Sequence, residues 1–186
     1  AHYIYTYDEP EPGLPKVAAA AGMIRRADPQ LKNLLVLHGA ADVERFAAWF
    51  EPIDIVCLRN VTFDPAQATR LKQLGKELWL YVSGPVPPYP ALVIDYPAMA
   101  YRVLPWMCWK YGITGLLYWS VNYWTTNPYE DPMNTAWEQN GNGSLYYPGP
   151  DGPVPSIRLE ILRDGIEDYE YLHRLSQLVH EVKARP

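Results

Sequence analysis

The chain has 186 residues, 48% of them hydrophobic, which is enough to bury a core and is not typical of a disordered protein. Its formal net charge is −5 and it contains no basic run, so we do not expect nucleic acid to be a partner. No apolar stretch is long enough to predict a membrane span.

Strands and helices are predicted to alternate along the first two-thirds of the chain. The predicted strands are near-continuous apolar runs, which is typical of strands buried on both faces. This alternation predicts a parallel sheet with right-handed crossovers. Asp64 is expected to cap the third helix and Gly75 to end it. The predicted strands cover residues 3–9, 33–39, 53–60, 77–84 and 113–121, and the predicted helices cover residues 16–27, 41–50, 64–75 and 96–111.

The rest of the chain is predicted to contain one long loop and one helix. Residues 122–155 are rich in Asn, Gly, Pro and aromatic residues, and we expect this loop on the active-site side of the domain. Residues 156–184 are predicted to form a C-terminal helix, which Gly165 bends or breaks. Residues 1–186 are interpreted as a single partial barrel domain.

Polar or aromatic residues stand where each predicted strand ends, among them Asp8, His38, Tyr81 and Trp119. In a (β/α)8 barrel the chemistry gathers at the carboxyl ends of the strands. Five such strands therefore predict an α/β fold with most of a TIM-type barrel, namely its C-terminal part. An open doubly wound sheet is the alternative, and its ligands would bind at the same strand ends.

The sequence contains no motif for a cofactor or a metal. No Gly-rich phosphate-binding fingerprint follows a predicted strand, so we expect no dinucleotide. The four histidines share no ligand spacing, so we expect no catalytic metal. Cys57 and Cys108 are far apart, and we expect buried thiols rather than a disulfide.

Two adjacent carboxylates, Asp8 and Glu9, end the first predicted strand in the stretch YIYTYDEPEP. In an extended strand Asp8 would share a face with Thr6, and Glu9 would share the other face with Tyr5 and Tyr7. Most glycosidases place two carboxylates on opposite sides of the scissile bond, which consecutive residues fit poorly. The pair better suits substrate-assisted hydrolysis of a 2-acetamido sugar. From the pair alone, an acidic turn or a helix cap remains the alternative.

Three longer stretches carry a family resemblance. They are GKELWLYVSGPVPPYPALVIDYPAMAYRVLPWMCWKYGITGLLYWSVNYW at 75–124, NGNGSLYYPG at 140–149 and SIRLEILRDGIEDYEYLHRL at 156–175. Together with YDEP, they resemble the C-terminal catalytic region of glycoside hydrolase family 123 and its mostly uncharacterised bacterial relatives. The resemblance implies a (β/α)8 barrel and β-N-acetylgalactosaminidase activity by substrate-assisted catalysis. It also implies that Asp8 orients the acetamido group and that Glu9 is the general acid and base.

The resemblance further implies that the chain holds about strands 4 to 8 of the barrel. We then expect a fragment whose native N-terminus is missing, which leaves a secreted or periplasmic location open. A missing N-terminal half of the barrel, or a second copy of the chain, would cover the open sheet edge. An inactive fragment, or a carbohydrate-binding barrel with no activity or another specificity, is the alternative function.

The expected partner is a glycan or glycoconjugate substrate, and the candidate binding residues are aromatic or hydrogen-bonding side chains. Each stands near a strand end, in the long loop or at the start of the last helix. Core packing is an equal alternative for Tyr118 and Trp119, whereas a place in the site is favoured over the core for Tyr81, Asn122 and Trp124. A structural role is the alternative for the histidine. These candidates are Tyr81, Tyr118, Trp119, Asn122, Trp124, His38, Tyr147 and Arg158.

Other residues are given structural roles. Arg102 and Asp95 flank the Trp-rich helix and are interpreted as a structural ion pair. Arg163 and Glu167 are expected to pair on a solvated face of the last helix. The glycines of the NGNG stretch are expected in turns with positive φ.

Overall fold

The computed structural model of the protein describes residues 2–10, 15–39, 42–45, 47–133 and 136–184. The chain divides into two structural units. The first comprises residues 1–81 and 111–117, and the second comprises residues 82–110 and 118–186.

The first unit contains a five-stranded parallel sheet and three flanking helices. Its strands are β1 (Tyr3–Tyr7), β2 (Lys32–Leu37), β3 (Ile55–Arg59), β4 (Glu77–Val82) and β5 (Gly115–Tyr118), the last residues of β4 and β5 falling in the second unit. Its helices are α1 (Pro15–Ala27), α2 (Ala47–Phe50) and α3 (Pro65–Gln73).

The strands lie in the sheet in the order in which they occur in the chain, from β1 to β5. The pairings of β1 with β2, β2 with β3 and β3 with β4 are all parallel. A doubly wound sheet would instead reverse its strand order at a switch point. The predicted parallel α/β sheet is therefore confirmed, and the doubly wound alternative is wrong.

The sheet is strongly curved, as contacts across its inner face show. The rings of Tyr3 on β1 and Trp79 on β4 lie 5.1 Å apart although two strands separate them. Flat neighbouring strands are about 4.8 Å apart, so these positions would be about 14 Å apart in a flat sheet. On the same face, Lys32 on β2 pairs with Glu77 on β4 at 2.7 Å. The concave face therefore brings together side chains from non-adjacent strands.

The opposite face of the sheet packs against helix α1. Asn33, which is fully buried, donates from Nδ2 to the carbonyl of Ala21 in α1 and accepts from the hydroxyl of Thr6 at 3.0 Å. Leu35 and Val17 are also buried in the unit's core. Residues of β2 therefore alternate between the core under α1 and the concave face.

The predicted ends of helix α3 are confirmed, whereas the predicted length of helix α2 is wrong. Asp64 accepts a hydrogen bond from the backbone N–H of Ala66 at the start of α3, and Gly75 follows the helix with φ +76°, as predicted. The helix predicted over 41–50 is wrong in length, since α2 is only Ala47–Phe50. Within residues 42–45, the Asp42 side chain closes a turn by accepting from the N–H of Arg45. Residues 41 and 46 lie outside the described part of the chain.

The second unit contains two long helices and a hairpin. Its elements are α4 (Ala98–Tyr111, whose last residue falls in the first unit), the antiparallel strands β6 (Tyr146–Gly149) and β7 (Gly152–Pro155), and α5 (Ile157–Lys183). No helix among the described residues is both long and apolar enough to cross a membrane. Cys57 in the first unit and Cys108 in the second are buried thiols that do not form a disulfide, as expected.

Helix α5 runs unbroken through Gly165, so the predicted break is wrong. A side chain at this position would come within 2.6 Å of the carbonyl oxygen of Arg102 and 3.1 Å of Pro105, both in α4. The glycine is therefore needed for the close approach of two helices.

A charged cluster joins the same two helices. Arg102 donates to both oxygens of Asp168 at 2.7 and 2.9 Å, and the indole N–H of Trp106 donates to the same carboxylate at 2.9 Å. The structural role expected for Arg102 is confirmed, but its partner is Asp168, because Asp95 instead accepts from Asn140. The hydrogen bonds from Arg102 and Trp106 lower the pKa of Asp168 to about 2.

This pKa gives the cluster a defined pH dependence. A carboxylate whose pKa is lowered on folding stabilises the fold above its unfolded pKa of about 3.9, and that contribution is lost as the pH falls toward 2. Asp168→Asn should therefore lower the urea midpoint at pH 7, and the gap to the parent should narrow between about pH 4 and 3. The matched control is Glu167→Gln, whose exposed carboxylate lies 3.6 Å from Arg163. A gap that is the same at pH 7 and pH 3 would contradict this role.

Candidate active site

The first strand ends in an irregular way that separates two adjacent carboxylates. Strand β1 stops at Tyr7, and its pairing with β2 shifts register between Tyr5 and Tyr7. Glu9 then takes φ +40°, a left-handed conformation that costs a non-glycine residue about 1 kcal/mol. The regular alternation of side chains therefore stops before Asp8 and Glu9, and both carboxylates are exposed.

Tyr5 holds the first of these carboxylates. Its hydroxyl donates a hydrogen bond of 2.8 Å to Oδ1 of Asp8. Simple alternation assigned Tyr5 to the face of Glu9, and that assignment is wrong because the register shift turns Asp8 toward the tyrosine. Within the part of the chain that the structure describes, no hydrogen-bond donor contacts the second oxygen, Oδ2.

The surroundings of Tyr5 keep its hydroxyl protonated. Burial raises the pKa of Tyr5 above its usual value, the hydrogen bond to Asp8 and the charge of that carboxylate raise it further, and Cys57 and Tyr81 add smaller effects in the same direction. Tyr5 is thus a permanent donor to Asp8. Tyr5 and Asp8 thus form a cluster within electrostatic range of Cys57 on β3 and of Tyr81 on β4.

A second group lies beside this cluster in the same unit. Arg59 pairs in register with Tyr81 on the neighbouring strand. Its Nη1 lies 2.5 Å from Nε2 of His38, which follows β2. A guanidinium can only donate, so Nε2 of His38 accepts in this contact. The structure therefore brings the predicted residues Asp8, His38 and Tyr81 to one edge of one sheet.

The guanidinium of Arg59 has an N–H donor that forms no hydrogen bond with the described residues. Among the described residues it forms no ion pair, and its Nε is buried without a hydrogen-bond partner. Buried donors of this kind normally find an acceptor. The arginine can therefore supply hydrogen bonds to oxygen atoms of a ligand at the strand ends.

In the second unit, Tyr118 and Trp119 converge on one buried amide. The Tyr118 hydroxyl and the Trp119 indole N–H donate to Oδ1 of Asn142 at 3.1 and 3.0 Å. The Tyr118 hydroxyl also accepts from the backbone N–H of Gly143 at 2.7 Å. The hydroxyl of Tyr118 and the indole N–H of Trp119 therefore connect the end of β5 to the loop that contains the NGNG stretch.

The two glycines of this loop have positive φ, as predicted, and both also allow close contacts. Gly141 has φ +68°, and a side chain there would come within 2.7 Å of the Arg158 guanidinium. Gly143 has φ +78°, and a side chain there would overlap the Trp119 ring at 2.3 Å. The absence of a side chain at these two positions therefore lets Arg158 and Trp119 pack against the backbone of the NGNG stretch.

Arg158 is a buried residue of the first turn of α5, with 3% of its surface exposed. Its Nη1 donates to the carbonyls of Leu92 and Gly141 at 2.5 and 2.8 Å, and its Nη2 donates to the carbonyl of Ser144. Nη2 also lies 3.2 Å from the hydroxyl of Tyr147. These contacts give Arg158 and Tyr147 a structural task, while their contact with substrate stays a prediction.

The last two predicted residues lie on the same loop. Asn122 is exposed and forms an isolated bridge with Ser144. Trp124 is half-buried and donates from its indole N–H to the carbonyl of Tyr146 at 3.1 Å. In the described parts of both units, no three side chains of the His, Cys, Asp or Glu type cluster as metal ligands would.

Comparison with protein families gives the class of the protein. The family model described as "Glycoside hydrolase 123, catalytic domain" matches residues 2–175. The chain therefore belongs to glycoside hydrolase family 123, and the matched region is the catalytic domain of a glycosidase. A search of the curated proteins finds none that matches the chain.

Sequence reasoning did not single out three residues that organise these sites. In the sequence Tyr5 stands out only as a neighbour of Glu9 on one strand face, although Asp8 is three positions further along, a spacing at which a strand end can turn back on itself. Arg59 lies near the end of the predicted strand 53–60, but nothing in the sequence marks it as a donor to a ligand. Asn142 is part of the NGNG stretch, whose glycines predict turns but do not indicate which side chains pack against Asn142.

The hydrogen bond from Tyr5 can be tested through its effect on Asp8. Hydrogen bonds to charged groups are worth about 1.5–3 kcal/mol, so Tyr5→Phe should lower kcat/KM by about tenfold or more. If Tyr5 acts through Asp8, the same change should have little further effect in an Asp8→Asn background. The measurement is kcat/KM for the four proteins of this cycle on an aryl glycoside that the wild-type protein hydrolyses. Equal losses in both backgrounds would contradict the assignment.

Proposed function

We propose that this catalytic domain removes a terminal β-linked N-acetylhexosamine, with N-acetylgalactosamine preferred, by substrate-assisted retaining catalysis. The observation that carries the proposal is the acidic pair itself. Asp8 and Glu9 are consecutive, so their Cα atoms are about 3.8 Å apart and both carboxylates approach the sugar from one strand end. Glycosidases with a protein nucleophile and a separate acid place these groups on either side of the scissile bond.

In the proposed reaction the substrate supplies the nucleophile. The acetamido oxygen attacks C1 of the sugar while the bond from C1 to the leaving oxygen breaks. Glu9 donates its proton to that oxygen, and an oxazolinium ring forms. Glu9, now a carboxylate, takes a proton from water as the water attacks C1 and opens the ring. Two inversions at C1 give overall retention.

Asp8 is proposed to act on the other end of the acetamido group. With Oδ1 held by Tyr5, its free oxygen accepts the acetamido N–H and stabilises the positive charge that develops there. Tyr5 fixes the carboxylate in one orientation, so less freedom is lost when substrate binds. The cluster thus suits an orienting carboxylate rather than a nucleophile.

The positive φ of Glu9 supports its separate role. A left-handed residue directly after the orienting carboxylate redirects the next side chain, and strained conformations of this kind cluster at active sites. Tyr81, His38 and Arg59 are proposed to hydrogen-bond the sugar from the neighbouring strand ends. Tyr118, Trp119, Asn122, Trp124, Tyr147 and Arg158 are proposed to shape the substrate loops of the second unit.

The proposed fold of the domain follows from the same observations. Sequential parallel order and strong curvature are the features of a (β/α)8 barrel, in which polar side chains gather at the carboxyl ends of the strands. We propose that β1 to β5 correspond to strands 4 to 8 of such a barrel.

Because the two carboxylates have different proposed roles, replacing each should lower kcat in a different way. Glu9→Gln should abolish turnover of substrates with poor leaving groups, while an aryl glycoside with a good leaving group should retain part of the first step because it needs no proton. Asp8→Asn should lower kcat by about a hundredfold or more on both substrates, because the charge that it supplies is lost in either case. The measurement is kcat for both variants on both substrates. Unchanged kcat for Asp8→Asn would refute the mechanism.

A further inference from the structure

Three aromatic side chains of the second unit form a surface, and the proposed reaction gives two of them, Tyr123 and Trp137, no role. Trp119 lies 5.4 Å from Trp137 and 4.9 Å from Tyr123 between ring centroids, with interplanar angles of 59° and 56°. We call these three residues the aromatic platform. Trp137 keeps 67% of its surface exposed and Tyr123 keeps 44%. Core packing therefore does not explain why Trp137 is a tryptophan.

The platform has a rigid base. Trp119 is fixed by the hydrogen bond from its indole N–H to the buried Asn142 and by the close approach of its ring to Gly143. The backbone N–H of Tyr123 donates to the carbonyl of Gly143 at 2.8 Å, and the hydroxyl of Ser144 donates to the carbonyl of Tyr123 at 2.6 Å. A rigid ring surface loses little conformational freedom when it binds a ligand.

The backbone beneath the exposed ring is in an uncommon conformation. Trp137 has φ +58° and Glu138 has φ +53°, two successive non-glycine residues in the left-handed region. Bulky residues rarely adopt this conformation, and strain of this kind persists where the surroundings enforce it. The chain thus holds an apolar ring out in solvent at a conformational cost.

We propose that the aromatic platform binds a pyranose ring of the glycan substrate, with Trp137 as the main stacking surface. The C–H bonds on one face of a pyranose carry a small positive charge and meet the negative face of an indole ring. The hydroxyl groups at the ring edge stay in water or find polar neighbours. A flat ring with most of its surface exposed, backed by a second indole, matches this ligand.

The inference rests on the proposed action on a glycan, but its test is independent of hydrolysis. Glu9→Gln is used as the parent, and its affinity is measured by titration calorimetry. The probes are an oligosaccharide ending in a β-linked N-acetylgalactosamine and free N-acetylgalactosamine. Loss of the apolar surface that a large ring buries against a ligand costs about tenfold or more in affinity. Trp137→Ala in this parent should therefore raise the Kd for the oligosaccharide by at least about tenfold, and Trp137→Phe should stay within about threefold.

Tyr171→Ala is the matched control, because Tyr171 is an aromatic residue of α5 with 77% of its surface exposed. It should leave the Kd unchanged. Equal affinity of Trp137→Ala and the parent, an equal loss in Tyr171→Ala, or no binding of either probe by the parent would overturn the proposal. If wild-type protein fails to hydrolyse the oligosaccharide while Trp137 controls its binding, the proposed mechanism fails and the aromatic platform stands.

Discussion

Two successive carboxylates can take different roles only if the backbone between them stops alternating in the regular manner of a strand. In this chain the change occurs over five residues, from the register shift after Tyr5 to the left-handed conformation of Glu9. The shift brings the Tyr5 hydroxyl to Asp8, and the left-handed residue redirects the next carboxylate. A regular strand would place the two carboxylates on opposite faces and would leave Asp8 without this donor. The proposed division of labour between Asp8 and Glu9 depends on this irregular strand end.

The curved sheet places the rest of the first site around that strand end. Because consecutive strands are neighbours and all run in parallel, residues that end β2, β3 and β4 meet at the same edge as the acidic pair. Side chains on the concave face reach across the sheet, as the contact between Tyr3 and Trp79 shows. At the other end of this face, Glu77 is partly buried, which raises its pKa, but hydrogen bonds led by that from Lys32 lower it overall. The concave face is thus polar at both ends, and Asp8 and Glu9 follow the strand that ends at its carboxyl end.

Much of this could be predicted from the sequence, and the exceptions share a physical cause. Apolar periodicity predicted the order of the elements from β1 to β5 and the bounds of α5, but not the hairpin of β6 and β7. Asp64 and Gly75 predicted the limits of α3. Contacts between distant residues could not be predicted in this way. Gly165 was expected to interrupt a helix, and only the helix packed against it shows why a glycine is needed there. The partner of Arg102 likewise stands 66 residues away in the chain. Arg158 was predicted to contact the substrate, and the structure shows that its guanidinium donates hydrogen bonds to backbone carbonyls.

The central claim is that the substrate supplies its own nucleophile, and a stable mimic of the cyclic intermediate tests it most directly. N-acetylgalactosamine-thiazoline has the shape of the oxazoline that only this route forms. It should inhibit hydrolysis of an aryl N-acetylgalactosaminide competitively, and Asp8→Asn should bind it more weakly because the thiazoline nitrogen loses its carboxylate partner. Hydrolysis that proceeds undisturbed at saturating thiazoline, together with covalent labelling of a carboxylate by a 2-fluoro glycoside, would show a protein nucleophile and contradict the claim.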